Sequence, residues 1–303
     1  VLMANLVLGC SSEENLVSSV PPSYIVPETS TTSTTTIVAP TSTQPESREL
    51  TIGMSALGRP IVAVHVQDSP HRPVIAIGSI HGDEAMGLKV IERLLNVAEI
   101  PVDLNLWVIS TVNPDGLALG TRGNANGVDL NRNFATDDWR IVGRGTEKYS
   151  GENAASETET RAVQEFLIEQ KPLLVVWWHQ YGQYVDDQRT VADYDLIKEF
   201  SELTDFPIKY VGCGSTPCIG NATAFINSRI EGASSFVVEL PREVPARILD
   251  QQANAFLVIA EAAICLLKDA TATKGGFWTP ASAMGTALIA RLQSHAGLTF
   301  TVE

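Results

Sequence analysis

The sequence Pro73-Val-Ile-Ala-Ile-Gly-Ser-Ile80 runs directly into His81-Gly-Asp-Glu84. The first segment is short and apolar, which is typical of a buried β-strand. A histidine and a glutamate three residues apart therefore follow the carboxyl end of a strand. A neutral imidazole and a carboxylate are two of the ligands that a zinc ion accepts in proteins. This stretch predicts the first half of a metal site.

The sequence on either side of this stretch predicts an α/β domain over residues 48–268. Apolar runs without alternation indicate strands that are covered on both faces, and a 3.6-residue period indicates helices. The further predicted strands are Leu104–Val112, Leu173–Trp178 and Ser234–Val238, and the predicted helices are Ala85–Val97, Ser156–Glu169 and Pro245–Leu267. Ser156 and Glu159 are spaced as a capping box. Strands that alternate with helices predict a mixed, largely parallel central sheet flanked by helices.

Two more polar residues follow apolar strands. His179 follows Leu173–Trp178, and Glu239 follows Ser234–Val238. Since ligands gather beyond the carboxyl ends of parallel strands, we expect both residues near His81 and Glu84. Two histidines and one glutamate leave a fourth position open on zinc, as in catalytic sites, and Glu239 is then a candidate general base.

Each of these residues also has an ordinary explanation. A histidine after a strand is often a surface or hydrogen-bonded core residue. A histidine and a glutamate at the spacing of His81 and Glu84 are also common by chance. Because separate strands deliver His81, Glu84 and His179 to the same edge, the combination favours a metal site.

The segment Arg122–Phe134 contains two arginines and Asn131. A guanidinium group pairs with a carboxylate through two parallel hydrogen bonds. One of Arg122 and Arg132 could hold a substrate carboxylate, and the other could stabilise an oxyanion. The alternative is ion pairing on the surface.

Several separated motifs occur in order along the chain. They are His81-Gly-Asp-Glu84, Asn113-Pro-Asp-Gly116, Gly127-Val-Asp-Leu-Asn-Arg-Asn-Phe134, and the strands that end in His179 and Glu239. Over about residues 50–268 this set resembles the M14 zinc carboxypeptidases, with most likeness to the murein peptide amidase branch. The resemblance implies a zinc carboxypeptidase-like fold of phosphorylase/hydrolase-like architecture. It also implies hydrolysis of the γ-D-glutamyl–diaminopimelate amide in peptidoglycan-derived peptides.

The resemblance assigns a role to each candidate residue. The implied zinc ligands are His81, Glu84 and His179, the implied base is Glu239, the oxyanion stabiliser is Arg122, and the carboxylate clamp is Asn131 with Arg132. The sequence departs from the pattern of these carboxypeptidases at two places: no tyrosine lies between Gly212 and Val238, and Gln180 follows the ligand histidine. The alternatives are a metallocarboxypeptidase acting on ordinary peptides and a non-catalytic lipoprotein that binds the cell wall.

The two ends of the chain carry separate predictions. Residues 1–10 look like the end of a bacterial lipoprotein signal, with Cys10 as the lipidated residue, and a frayed apolar terminus is the alternative. Residues 11–47 are rich in Ser, Thr and Pro, which predicts a disordered tether. These features predict an extracytoplasmic protein anchored to a membrane, or a cytoplasmic one if the signal interpretation is wrong. Residues 269–303 resemble the tail of saccharopine-dehydrogenase-like oxidoreductases, and we assign them no role.

Charge and cysteine content narrow the class further. The 303 residues carry a formal net charge of -14, which argues against a nucleic-acid partner. The four cysteines are too few for a disulfide scaffold. Cys213 and Cys218 could close a short disulfide loop in an oxidising compartment, or they could be free thiols.

Overall fold

A mixed sheet forms the centre of the computed structural model, which describes residues 48–187, 194–212 and 218–268. Within these ranges the strand order is β1-β2-β4-β3-β5-β8-β6-β7. The strands are β1 Arg48–Met54, β2 Pro60–Gln67, β3 Val74–Ile77, β4 Leu106–Ile109, β5 Leu174–Gln180, β6 Tyr184–Asp186, β7 Ile208–Lys209 and β8 Ser234–Leu240. The helices are α1 Gly87–Leu95, α2 Pro114–Leu119, α3 Thr158–Gln170, α4 Asp195–Thr204, α5 Ala222–Arg229 and α6 Ala246–Lys268, with a 3₁₀ turn at Leu130–Arg132.

The four central strands, β4, β3, β5 and β8, are parallel to one another, and β1, β2 and β6 join antiparallel neighbours. Every residue of β3, β4 and β5 is buried, as expected where helices cover both faces of a parallel sheet. This architecture confirms the predicted mixed, largely parallel sheet flanked by helices.

The helices lie on the two faces of this sheet. On one face, Phe166 of α3 and Phe225 of α5 share a buried cluster with Trp177 and Val237 of the sheet. On the other face, α6 lies against β5, where Phe256 contacts the Trp178 ring and Gln252 accepts a hydrogen bond from the Trp178 Nε1. Neighbouring residues of β5 therefore face different helical layers, because side chains alternate along a strand.

Two details of the predicted elements are wrong. The strand at 73–80 is shorter, because β3 ends at Ile77 and the chain then turns into the segment that carries His81. The capping box does not form: α3 begins at Thr158 with Glu157 as its N-cap. The Glu159 carboxylate instead accepts hydrogen bonds from the Ala56 backbone N–H at 3.0 Å and from the Asn124 amide at 3.3 Å. The Glu159 side chain therefore bonds to distant parts of the chain and not to the first residues of its own helix.

The remaining predictions fall partly outside the described residues. Cys10, the 11–47 tether, Cys213 and the 269–303 tail all lie there. Cys218 is disulfide-bonded, so the free-thiol alternative is wrong for this residue. Ala246–Cys265 of α6 is long and apolar enough for a membrane span, but 78% of its most apolar window is buried within the domain, as in a core helix.

Candidate metal centre and active site

A tight turn after β3 places His81 and Glu84 side by side. The Glu84 N–H donates to the His81 carbonyl at 3.2 Å, and the Ser79 hydroxyl donates to the same carbonyl at 2.6 Å. Gly82 lies so close to α2 that a Cβ at this position would come within 1.9 Å of the Gly116 carbonyl carbon. The turn is therefore fixed by its own hydrogen bonds and by the helix behind it.

His179 comes from β5 and completes a cluster of three buried side chains. The Nδ1 atoms of His81 and His179 each lie 3.0 Å from Glu84 Oε2. One ligand atom from each of the three residues can be chosen so that all lie within 4.8 Å of one another. The structure thus brings the three predicted metal ligands together.

The donor set and its spacing fit a zinc ion. Ligand atoms of a tetrahedral zinc site with bonds of about 2.0–2.1 Å are separated by roughly 3.3 Å. The 3.0 Å between Glu84 Oε2 and each histidine Nδ1 is close to this value. His81 Nδ1 is buried and forms no directed hydrogen bond in the described part of the chain, although Glu84 lies beside it. A buried nitrogen without a hydrogen-bond partner is costly unless it binds something else.

The protonation states of the clustered side chains depend on one another. Burial opposes ionisation of the Glu84 carboxyl, but His81 and His179 outweigh it and hold its pKa well below the usual range. Burial also lowers the pKa of His81, but Glu84 and Asp129 outweigh it and raise the pKa to about 9. A positive charge is therefore favoured at this position.

Asp129 is a site residue whose role was not predicted from the sequence. Its Oδ1 lies 2.9 Å from His81 Nε2, the ring nitrogen that points away from Glu84. A histidine that binds a metal usually donates its other N–H to a carboxylate or carbonyl, which fixes the ring and its tautomer. The signal that the sequence offered for Asp129 was its position inside the Gly127–Phe134 motif.

Arg122 lies inside this network rather than on the surface. Its Nη1 donates to Glu84 Oε1 at 2.9 Å, and its Nε donates to Asp129 Oδ2 at 3.0 Å. The side chain is 18% exposed, so the alternative of surface ion pairing is wrong for this residue. Its Nη2 makes no hydrogen bond to any described residue, so this donor remains available at the site.

The predicted clamp residues lie on the 3₁₀ turn that follows Asp129. Asn131 Oδ1 accepts a hydrogen bond from the Ala222 N–H at 3.0 Å, which ties the turn to the start of α5. Arg132 is buried, and its Nη1 donates to the Asn131 carbonyl at 2.7 Å. Its Nε is buried without a hydrogen-bond partner among the described residues, and burial lowers the pKa of this guanidinium. A bound anion would neutralise the Arg132 guanidinium and accept a hydrogen bond from its Nε.

Glu239 stands next to His179 in the sheet. The two are register partners on the parallel strands β8 and β5, so their side chains leave the same face. Burial raises the pKa of the Glu239 carboxyl; His179 opposes this rise and Glu84 adds to it. The carboxylate forms no hydrogen bond with the described residues. It is thus a partly buried carboxyl group beside the three-ligand cluster.

Gln180 joins three parts of the site. Its backbone N–H donates to Glu84 Oε2 at 3.1 Å. Its side-chain oxygen accepts from the Met86 N–H at 3.0 Å, and its side-chain nitrogen donates to the Pro241 carbonyl at 2.9 Å. The departure from the usual family residue noted in the sequence therefore links the ligand turn to the chain just after Glu239.

Comparison with known proteins agrees with this geometry. The Peptidase M14 family model, described as zinc carboxypeptidase, matches residues 39–213, which is more than half of the chain. The chain belongs to the zinc carboxypeptidase family. It is accordingly a hydrolase of the metallopeptidase type, which confirms the family resemblance predicted from the motifs. The match includes His81, Glu84 and His179, while Glu239 lies beyond its end.

Two of the relatives of this zinc carboxypeptidase family member are amidases by name. Murein peptide amidase A of Vibrio campbellii is 28% identical over 221 residues, which cover 69% of this chain and 86% of that protein. Murein peptide amidase A of Escherichia coli K12 is 30% identical over 148 residues, which cover 45% of this chain and 61% of that protein.

Solved structures share the fold. The murein-tripeptide amidase MpaA from Escherichia coli O157 aligns with a TM-score of 0.57 at 22% identity, over 71% of this chain and 92% of that one. Thrombin activatable fibrinolysis inhibitor aligns with a TM-score of 0.60 at 20% identity, over 74% of this chain and 70% of that one. These likenesses confirm the predicted zinc carboxypeptidase-like architecture.

Proposed function

We propose that this protein is a zinc-dependent amidase that hydrolyses the γ-D-glutamyl–diaminopimelate bond of murein peptides. The observation that carries the proposal is the meeting of His81 and His179 Nδ1 at 3.0 Å from one Glu84 oxygen, with Glu239 as the register partner of His179. The names of the amidase relatives support the choice of substrate.

His81, Glu84 and His179 would hold the zinc ion. When bound, zinc supplies a Lewis acid that polarises the scissile carbonyl and makes water easier to deprotonate. Glu239 takes a proton from the attacking water and returns it to the leaving nitrogen, so one carboxylate serves first as base and then as acid. Its raised pKa suits this exchange, because a base that is too weak cannot accept the proton.

Arg122 and Arg132 serve two different negative charges. Arg122 Nη2, held in place by the bonds of Nε and Nη1 to Asp129 and Glu84, stabilises the oxyanion that develops from the scissile carbonyl. Arg132 and the amide of Asn131 bind a carboxylate of the leaving diaminopimelate. The buried, unsatisfied Arg132 Nε supports this assignment.

Mass-spectrometric product analysis with defined muropeptides tests the proposal. The zinc-loaded protein should cut L-Ala-γ-D-Glu-meso-diaminopimelate at the γ-glutamyl bond, a chelator should stop the reaction, and added zinc should restore it. Glu239→Gln should retain zinc and reduce turnover by a factor on the order of 10² to 10⁴. Near-normal turnover in this variant would rule out Glu239 as the base.

An ordinary peptide with a free carboxyl terminus is the comparison substrate, because the Asn131–Arg132 pair would accept its terminal carboxylate as well. Preferred cleavage of that peptide would identify a metallocarboxypeptidase instead. Bound zinc without hydrolysis of either substrate would favour a non-catalytic wall-binding protein.

We further propose, from the N-terminal sequence, that Cys10 carries lipid and that the domain acts outside the cytoplasm on a membrane surface. The mass of the N-terminal peptide of the protein purified from bacterial membranes tests this directly. An unmodified Cys10 peptide would exclude the lipid anchor.

A further inference from the structure

Tyr181 and Arg242 form a stacked pair at the rim of the candidate site. The Arg242 guanidinium carbon lies 4.2 Å from the centre of the Tyr181 ring. The Tyr181 hydroxyl donates to the carbonyl of Asp83 at 2.9 Å, which holds the ring against the ligand turn. A guanidinium over an aromatic face is attracted to the ring. This attraction favours the observed position of the Arg242 side chain, although both residues reach the surface.

The main chain of Arg242 is also anchored. Gln180 Nε2 donates to the Arg242 carbonyl at 3.3 Å and to the preceding Pro241 carbonyl at 2.9 Å. The Gln180 backbone N–H donates to Glu84, so Arg242 is connected to the metal cluster through a single buried residue. Arg242 forms no ion pair with a carboxylate in residues 48–187, 194–212 and 218–268. A fixed, exposed and unpaired guanidinium has the character of an anion-binding group.

Arg242 and Arg132 lie on different sides of the candidate site. His179 and Gln180 are adjacent on β5 and point to opposite faces of the sheet. Arg132 belongs to the turn tied to the start of α5, on the face of His179 and Glu239. Tyr181 and Arg242 are tied to Asp83 and Gln180, next to the Met86 N–H that precedes α1. A substrate held by Arg132 on its leaving side would extend its acyl side toward Arg242.

We propose that Arg242, stacked on Tyr181, binds the free α-carboxylate of the γ-linked D-glutamate on the acyl side of the scissile amide. This inference rests on the proposed function and deepens it. A γ-linkage leaves the α-carboxylate of the glutamyl residue free, whereas an α-peptide has an amide in that place. A preordered guanidinium can bind this carboxylate with little further loss of side-chain freedom. Arg242 would then be a specificity-determining residue that distinguishes murein peptides from ordinary peptides.

Two substrates and two arginine variants test the inference. The substrates are L-Ala-γ-D-Glu-meso-diaminopimelate and its counterpart with the glutamyl α-carboxylate converted to a carboxamide. The variants are Arg242→Gln and, as a matched control, Arg247→Gln, which removes the same charge from an exposed position on the first turn of α6. Arg242→Gln should lower kcat/KM for the free acid by about tenfold or more, mainly through KM, and change the carboxamide little. Arg247→Gln should leave both substrates at wild-type levels.

Tyr181→Ala provides a second variant that keeps the arginine and removes its support. It should lower kcat/KM for the free acid in the same direction as Arg242→Gln, and Tyr181→Phe, which keeps the ring, should have a smaller effect. Equal losses for the acid and the carboxamide in Arg242→Gln would overturn the inference, as would a wild-type enzyme that does not prefer the acid.

Binding measurements separate this inference from the proposed function. In the Glu239→Gln background, calorimetry should show tighter binding of the acid than of the carboxamide, and adding Arg242→Gln should remove the difference. If the wild type fails to cleave the murein tripeptide but this difference in binding is present, the proposed function fails and the carboxylate subsite stands. If cleavage occurs and the difference is absent, the subsite alone fails.

Discussion

Asp129 Oδ1 lies 2.9 Å from His81 Nε2, and the two side chains are almost completely buried. The other oxygen of the same carboxylate accepts from Arg122 Nε at 3.0 Å, and Oδ1 also accepts from the Asn131 N–H at 2.9 Å. One carboxylate thereby orients a candidate metal ligand, the candidate oxyanion donor and the turn that carries the clamp. The geometry of the site depends on Asp129 although it lies behind the ligands.

We expect Asp129→Asn to weaken zinc binding by about 10- to 100-fold, because the neutral amide no longer fixes the charge and tautomer of His81. Competition with a chromogenic chelator measures the affinity. Asp115→Asn is the matched control, since Asp115 is equally buried and accepts from the Leu57 N–H at 2.8 Å and from Arg59, away from the ligands. The control should lower thermal stability and leave zinc affinity unchanged. Similar losses of affinity in both variants would mean that Asp129 acts only through stability.

Zinc binding should release about one proton at pH 7. Burial lowers the pKa of His81, but Glu84 and Asp129 raise it to about 9, so the imidazole is protonated before metal arrives and must lose that proton to bind. Calorimetry in buffers of different ionisation enthalpy counts the protons. The count should fall toward zero at about pH 10. A binding heat independent of the buffer at pH 7 would contradict a protonated His81.

The raised pKa of His81 also predicts how the stability of the chelated protein depends on pH. The pKa of His81 in the folded protein, about 9, lies above its ordinary value of 6.5, so its contribution to stability is fully present below pH 6.5 and is lost as pH rises to about 9. Thermal unfolding of the chelated protein should therefore show a lower Tm at pH 9 than at pH 6.5. His81→Asn should reduce that difference, and an unchanged difference in the variant would assign it to other groups.

The ligands could be predicted from the sequence because strand ends converge. His179 and Glu239 each follow an apolar run, and parallel strands bring their carboxyl ends to one edge. In the structure, His179 and Glu239 are the second-last residues of β5 and β8, and they are register partners. The hydrophobic pattern fixed which strands are central, and the positions of polar residues after them then fixed the site.

The supporting residues could not be predicted in this way. Asp129 and Gln180 act through partners 48 and 96 positions away in the chain, His81 and Glu84 respectively, and no local pattern encodes such pairs. Glu159 shows the same limit, since tertiary contacts with Ala56 and Asn124 replaced the predicted capping box. Local rules hold where one chain segment decides the outcome, and they fail where two distant segments compete for one polar group.

Arg132→Gln should raise KM for substrates with a free carboxylate on the leaving side and change kcat less. The loss of a charge-assisted pair at a buried site corresponds to about 1.5–3 kcal/mol, or roughly 10- to 150-fold in KM. The same peptides with that carboxylate amidated should be nearly insensitive to the substitution. Steady-state kinetics with both peptides measure this difference, and equal effects on both would remove the clamp role from Arg132.

Gly82→Ala should weaken zinc binding through steric displacement of the ligand turn. The new methyl group would lie 1.9 Å from the Gly116 carbonyl carbon and 2.3 Å from the Leu117 nitrogen, and backbone atoms of a helix cannot yield as a flexible side chain does. The turn must move instead, and His81 and Glu84 move with it. Overpacking of this kind costs about 1–3 kcal/mol of stability.

Gly53→Ala is the matched control for this substitution. Its methyl group would lie 2.3 Å from the Ala162 Cβ, where β1 meets α3, so it overpacks the domain far from the ligands. Both variants should lower the Tm, and only Gly82→Ala should also lower the zinc affinity and kcat. If Gly53→Ala weakens zinc binding as strongly, loss of global stability accounts for the effect; if Gly82→Ala binds zinc normally, the turn tolerates displacement without loss of the site.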